Sequence, residues 1–159
     1  MKLLFFCFWI FVSLVQSQAL LSVLQENFQL STFNHYVNAS STLTNLLSSA
    51  DNITLLAPSN TAFEAWLASQ FPALTNDQIE ALLAYHLIHG VFPTVSFSTQ
   101  PQFAGSFLTN ASYANVTGGQ RVEFVLGSGG DPQIVSGNKS VTGLVTAVIL
   151  LAHDGIEVV

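Results

Sequence analysis

The chain has 159 residues, about one domain's worth, of which 50% are hydrophobic and only 8% charged. Three Lys or Arg against nine Asp or Glu give a formal charge of -6 and an isoelectric point near 4.8. That balance excludes a nucleic-acid binder that neutralises phosphates and an electrostatic anchor to anionic lipid, since both need a basic face. The apolar content excludes a disordered chain, which lacks the apolar surface to offset its ordering entropy.

Met1-Lys2 is followed by an unbroken apolar run, Leu3 to Val12, and then by the more polar Ser13 to Ala19. A basic start, a short apolar stretch and small residues ahead of a cut are the parts of a secretory signal peptide, and the run is too short for a membrane-spanning helix. Val15 and Ser17 suit the positions three and one before cleavage, so residues 1–17 are expected to be the signal peptide and 18–159 the mature domain. A cut after Ala19 and an uncleaved signal anchor are the alternatives. Removal of the leader takes away Lys2 and Cys7, the chain's one cysteine. The mature chain then has no disulfide and depends on core burial.

Five segments match the N-glycan acceptor pattern: Asn38-Ala39-Ser40, Asn52-Ile53-Thr54, Asn110-Ala111-Ser112, Asn115-Val116-Thr117 and Asn138-Lys139-Ser140. One match is weak evidence, but five agree with the leader and imply the secretory route. Glycans are bulky and hydrated, so these segments are expected at the surface.

In chain order, Leu21, Leu24 and Phe28 recur at helical spacing. Ser31 is expected to cap a short helix carrying Phe33, Tyr36 and Val37, and Leu43, Leu46 and Leu47 form a third apolar stripe. Ile53 to Ala57 reads as a buried strand stopped by Pro58. Asn60 or Thr61 is placed to cap a helix with Phe63, Trp66 and Leu67, with Glu64 completing a capping box after Thr61. Thr75 and Gln78 form a second box, leading into Ile79, Leu82, Leu83, His86 and Leu87, with Asp77 complementing the helix dipole and Gly90 as the C-cap. Beyond Gly90 the period becomes two, predicting strands at Val91 to Phe97, Ser106 to Thr109, Arg121 to Leu126, Gln133 to Ser136 and Leu144 to Leu151. Gly118-Gly119 and Gly127 to Asp131 read as the turns between them. Helices followed by a meandering sheet predict an α+β domain.

Three strings in this order resemble the fasciclin-like domain. Thr54-Leu55-Leu56-Ala57-Pro58-Ser59-Asn60-Thr61-Ala62-Phe63 resembles its first signature. Leu82-Leu83-Ala84-Tyr85-His86-Leu87-Ile88-His89-Gly90 resembles its central Tyr-His segment, and Val148 to Val159, with the turn Asp154-Gly155, resembles the start of its second signature. The resemblance covers nearly all of residues 20–159 and implies N-terminal helices packed on a wedge of two small β-sheets. The matching His of the family is structural, which agrees with the apolar position of His86. Two departures stand out. The chain stops at Val159, where the family's last strand continues, so that strand is expected to be incomplete. Ile149-Leu150 stands where the family often has an Asp-Ile pair linked to integrin-type adhesion, so that recognition is not carried over.

His35, His86, His89 and His153 are scattered, and no nucleophile or metal-ligand pattern is present, so neither catalysis nor a metal or cofactor is expected. The resemblance implies instead a secreted, glycosylated adhesion module or matrix and cell-wall interaction module. Its partner would be an extracellular protein, a wall or matrix polysaccharide, or a second copy, with no nucleic acid and no transmembrane segment after signal removal. The alternative is a carrier of a small apolar ligand in a cleft between the sheets, with Phe92, Phe97, Phe103 and Phe107 as candidate lining. No hydrophobic tail follows a small-residue site, so a glycolipid anchor is not expected. Localisation follows as extracellular or cell-surface, with a vacuolar or other secretory lumen as the alternative.

Overall fold

The computed structural model describes residues 16–49, 52–69, 73–114, 116, 119–136, 141–143 and 147–151. Three helices open it: α1 Gln16–Glu26, α2 Ser31–Ala39 and α3 Ser41–Ser49. Each turns one apolar stripe inward, with Leu20 and Leu24, Phe33 and Val37, and Leu43 and Leu47 all buried. The first stripe stops short of its predicted end. Phe28 lies in a separate 3-10 turn, Phe28–Leu30, and is 78% exposed. Asn27 makes the break, since its side chain accepts from the Gln29 amide and so competes with continuation of the helix.

Strand β1, Ile53–Pro58, runs through the middle of a three-stranded antiparallel sheet, between β2, Leu87–His89, and β7, Ala147–Leu151. A strand paired on both edges and covered on both faces carries an unbroken apolar run, which is why Ile53 to Ala57 does not alternate. Ile53, Leu55 and Ala57 join the helical core, whereas Leu56 joins a second core with Ile88. The one polar side chain in the run, Thr54, is fully buried and satisfied: its hydroxyl donates to Gly90 O at 2.8 Å and accepts from Phe92 N at 3.0 Å.

The second sheet is a four-stranded antiparallel meander of β3 Gln102–Gly105, β4 Arg121–Leu126, β5 Pro132–Val135 and β6 Val141–Gly143, in that spatial order. Its inner face, with Ala104, Val122, Phe124 and Ile134, closes the second core. Among the described residues, the isolated bridge from Ile88 to Ser106 links the two sheets. At that junction Gly119, with φ +99°, passes so close that a Cβ on it would collide with Ser106 O. The β4–β5 hairpin turns through Gly127 to Asp131, where Gly127 N donates to Asp131 O and Gly130 takes φ +83°.

Helices α4, Asn60–Ala68, and α5, Asn76–Tyr85, lie between β1 and β2 in sequence. The predicted box on α5 is present in both directions, Gln78 N to Thr75 Oγ1 at 3.3 Å and Thr75 N to Gln78 Oε1 at 2.9 Å. Its C-terminus differs. The helix ends at Tyr85 with His86 as C-cap, and Leu87 and Ile88 belong to β2, so Gly90, at φ +99°, closes a strand and donates to Asn52 O.

Two predicted strands are also corrected. Val91 to Phe97 is a loop holding the 3-10 turn Thr94–Ser96, because Pro93 has no amide to offer a ladder. Ser106 to Thr109 contributes only the bridge at Ser106, the true strand being Gln102–Gly105. Of the predicted strand Leu144 to Leu151, Ala147–Leu151 forms β7, and 144–146 lie outside the described residues. The result is the α+β wedge of two small sheets under N-terminal helices.

Candidate functional site

The first two family strings, about 20 residues apart in the chain, meet at one open cleft of about 540 Å³. Pro58, Ala62 and Phe63 reach it from the β1–α4 turn, and Leu82, Tyr85 and His86 from the end of α5. They meet there because β1 and β2 pair, which brings the end of α5 back beside the start of α4. Trp66 extends the α4 wall. Leu108, Tyr113, Gln120 and Ser136 complete the cleft from the loops of the second sheet. None of the described lining residues is an Asp, Glu, Lys or Arg.

The α4 wall starts from a cap that differs from the predicted one. Ser59, rather than Asn60 or Thr61, is the N-cap, accepting from Ala62 N at 3.3 Å. Asn60 serves a different helix. Its Oδ1 accepts from Thr32 N at 2.9 Å in the first turn of α2, while its Nδ2 donates to Phe28 O and Ser31 Oγ, each at 2.9 Å. Glu64 likewise reaches α2 and accepts from Thr32 Oγ1 at 2.8 Å, so there is no Thr61–Glu64 box. Leu30, not Ser31, occupies the N-cap position of α2 and offers no side-chain bond, which is the role Asn60 takes over. Asn60 therefore fixes the α4 start to the N-terminal helices.

Below this latch, Phe63 is buried and meets Phe33 and Tyr36 edge-on, at centroid distances of 6.0 and 5.6 Å, and Trp66 nearly parallel at 6.4 Å. His86 stands edge-on to Phe33 at 6.0 Å and to Tyr85 at 6.2 Å. Its Nδ1 lies 2.8 Å from Leu82 O. A carbonyl only accepts, so that contact places the proton on Nδ1 and leaves Nε2 as the acceptor. Burial pushes the His86 pKa below 6.5 by desolvating the charged form, and the Leu82 hydrogen bond opposes this more weakly. The ring is thus neutral at neutral pH.

The four phenylalanines considered for an apolar cleft do not meet in one. Phe92 stacks on Phe124 at 4.5 Å and Phe97 packs edge-on to the same ring at 5.4 Å, filling the space between the sheets. Phe103 is 59% exposed on β3. Phe107 stacks on His89 at 3.7 Å and lines a second groove of about 610 Å³ between α3 and α5, together with Asp77 and Glu80. Among the described residues no group of three His, Cys, Asp or Glu is placed to hold a metal ion. No helix there is long and apolar enough to cross a membrane.

Of the five glycan acceptors, Asn38 lies exposed in the last turn of α2, Asn52 exposed before β1 at φ 61°, and Asn110 exposed in the loop after β3. Asn115 and Asn138 lie outside the described residues, as do Asp154 and Gly155. Tyr113, Gln120 and Ser136 had no signal marking them for the cleft, because strand pairing and loop return bring them there, whereas Trp66 follows Phe63 on the predicted helix.

A family model for the fasciclin domain matches residues 28–149, and the chain belongs to the fasciclin-domain family, whose members are generally non-catalytic adhesion modules. In particular, it is similar to a fasciclin-like arabinogalactan protein of Arthroderma benhamiae, at 28% identity over 119 residues. That match covers 72% of this chain and only 28% of the relative. The family and this relative together point to an adhesion or extracellular module.

Proposed function

We propose that the chain is a secreted, N-glycosylated, non-catalytic module that attaches to extracellular protein, to wall or matrix polysaccharide, or to a second copy of itself. Residues 1–17 serve as its signal peptide and 18–159 as its fasciclin-like domain. The carrying observation is a fasciclin domain spanning most of the chain, with its described acceptor asparagines, Asn38, Asn52 and Asn110, all exposed. The low charge fits this reading, since glycans supply the hydration that charged side chains otherwise provide.

Intact mass before and after enzymatic deglycosylation tests the secretory part. The protein is expected to begin at Gln18, to lose mass in whole-glycan steps, and to lose one step with each of Asn38→Gln, Asn52→Gln and Asn110→Gln. A single unshifted mass retaining Met1 refutes it. Fractionation of secreting cells tests attachment. Retention in the wall or matrix fraction is expected, and recovery wholly in the medium, with no partner captured by cross-linking, overturns it.

A further inference from the structure

We infer that the cleft between α4, the end of α5 and the loops of the second sheet is a binding site for a neutral saccharide, with the Trp66 and Tyr85 rings as its stacking surface. This rests on the reading of the chain as an extracellular interaction module and adds the site and the ligand class.

The lining decides the class. Charged ligands are disfavoured, because none of the described lining side chains is acidic or basic and the His86 ring is neutral. A purely apolar ligand is disfavoured too, because His86, an acceptor at Nε2, and Tyr113 put polar groups among the aromatic rings. Burial of such groups against a ligand that cannot bond them costs free energy. A pyranose ring matches both halves of this surface. Its axial C–H groups form an apolar face that lies on an aromatic ring, and its equatorial hydroxyls project sideways as donors and acceptors. The Nε2 of His86, fixed as an acceptor by the Nδ1 bond to Leu82 O, is matched to a sugar hydroxyl.

The geometry agrees with the chemistry. At about 540 Å³ the cleft lies within the roughly 300–1,000 Å³ typical of small-ligand sites, and it opens to solvent, so a chain of sugars can run out of it. The aromatic wall is also held rigidly. Trp66 stacks on buried Phe63, Phe63 meets Phe33, and the Asn60 latch fixes the start of the helix that carries Trp66 and Phe63. A pre-organised wall loses less entropy on binding. The second groove, by contrast, carries Asp77 and Glu80.

The test is a titration of the full chain carrying Trp9→Phe, which leaves Trp66 as its only tryptophan whether or not the leader is retained. The probes are cellohexaose, laminarihexaose and mannohexaose, with hexagalacturonate as the anionic comparison. A saturable change in Trp66 fluorescence is expected with at least one neutral hexasaccharide, together with heat of binding by calorimetry. Calorimetric affinity is expected to fall by about tenfold or more in Trp66→Ala and in Tyr113→Ser, and to stay unchanged in Phe103→Ser on the exposed β3 surface. Tyr113 is 39% exposed in a loop, so its variant keeps the test decisive if Trp66→Ala fails to fold. The inference is overturned if no neutral hexasaccharide binds, if hexagalacturonate binds as tightly, or if Tyr113→Ser binds as tightly as the parent. Absent binding with wall retention intact refutes the cleft and leaves the interaction-module reading standing.

Discussion

Asn60 caps a helix it does not belong to, and its substitutions separate that role from an ordinary N-cap. Asn60→Ala removes one acceptor bond from Thr32 N and two donor bonds to Phe28 O and Ser31 Oγ. Loss of an N-cap acceptor costs about 1 kcal/mol, in a range of roughly 0.5–2. The two donor bonds are exposed, so the freed oxygens recover water and each contributes only about 0.5 kcal/mol, at the lower end for neutral hydrogen bonds. Asn60→Ala should therefore lower the unfolding free energy by about 2 kcal/mol.

Asn60→Asp keeps the acceptor at the N-terminus of α2 but cannot donate, so it should cost about 1 kcal/mol or less, with the dipole of α2 favouring the new carboxylate. Ser59→Ala, which removes the cap of α4 itself, should also cost about 1 kcal/mol. Urea denaturation of the three variants, with a double-mutant cycle between Asn60→Ala and Ser31→Ala, measures these terms. A coupling of about 0.5 kcal/mol is expected for the Asn60–Ser31 pair. If Asn60→Asp costs as much as Asn60→Ala, or if the cycle with Ser31 shows no coupling, the cross-helix latch is refuted.

The His86 pKa is lowered in the folded state, so its contribution is fully present above the unfolded value near 6.5 and is lost as pH falls through that value toward the folded one. Urea midpoints should accordingly drop between about pH 7.5 and pH 5.5, and the drop should shrink in His86→Gln; an equal slope in both proteins would contradict the buried neutral ring. Gly119→Ala meets positive φ and the Ser106 carbonyl together and should cost about 2–4 kcal/mol, whereas Gly130→Ala, with φ +83° in open space, should cost about 1–2. Equal thermal midpoints for those two variants would refute the close approach at the sheet junction. Phe33→Ala removes a fully buried ring that contacts both Phe63 and His86 and should cost about 3–5 kcal/mol by chemical denaturation; a cost below about 1 kcal/mol would place that ring outside the main core.

Legibility in the sequence followed the range of the interactions. The Thr75–Gln78 box, the buried run from Ile53 to Ala57 and the Gly127–Asp131 hairpin are decided within six residues or fewer, and all three were readable. Errors arose where two periods overlap. Leu83, Leu87 and Ile88 continue a helical apolar pattern, but three residues suffice for β2 once β1 offers its free edge, so the helix yields at His86. Val91 to Phe97 alternates like a strand, yet Pro93 and the Thr94–Ser96 turn remove it from any ladder, and Phe92 and Phe97 turn to the same Phe124 ring.

The candidate site shows the same boundary more sharply. Six of its residues lie in the two strings that identify the family, but the strings alone do not show that they face one cleft. That follows from the β1–β2 pairing of Ile53 with His89 and Leu55 with Leu87, which returns the end of α5 to the β1–α4 turn. Gln120 and Ser136 border strands β4 and β5, whose own register, Glu123 opposite Val135, brings them to a common end of the sheet. Asn60 belongs to both levels. Its presence was legible as a helix-starting residue, while its partners Phe28, Ser31 and Thr32 lie 28 to 32 residues upstream. A residue with local chemistry and distant partners can couple the helical layer to the cleft wall, so Asn60→Ala should weaken saccharide binding as well as stability, whereas Ser128→Ala at the far hairpin should change neither.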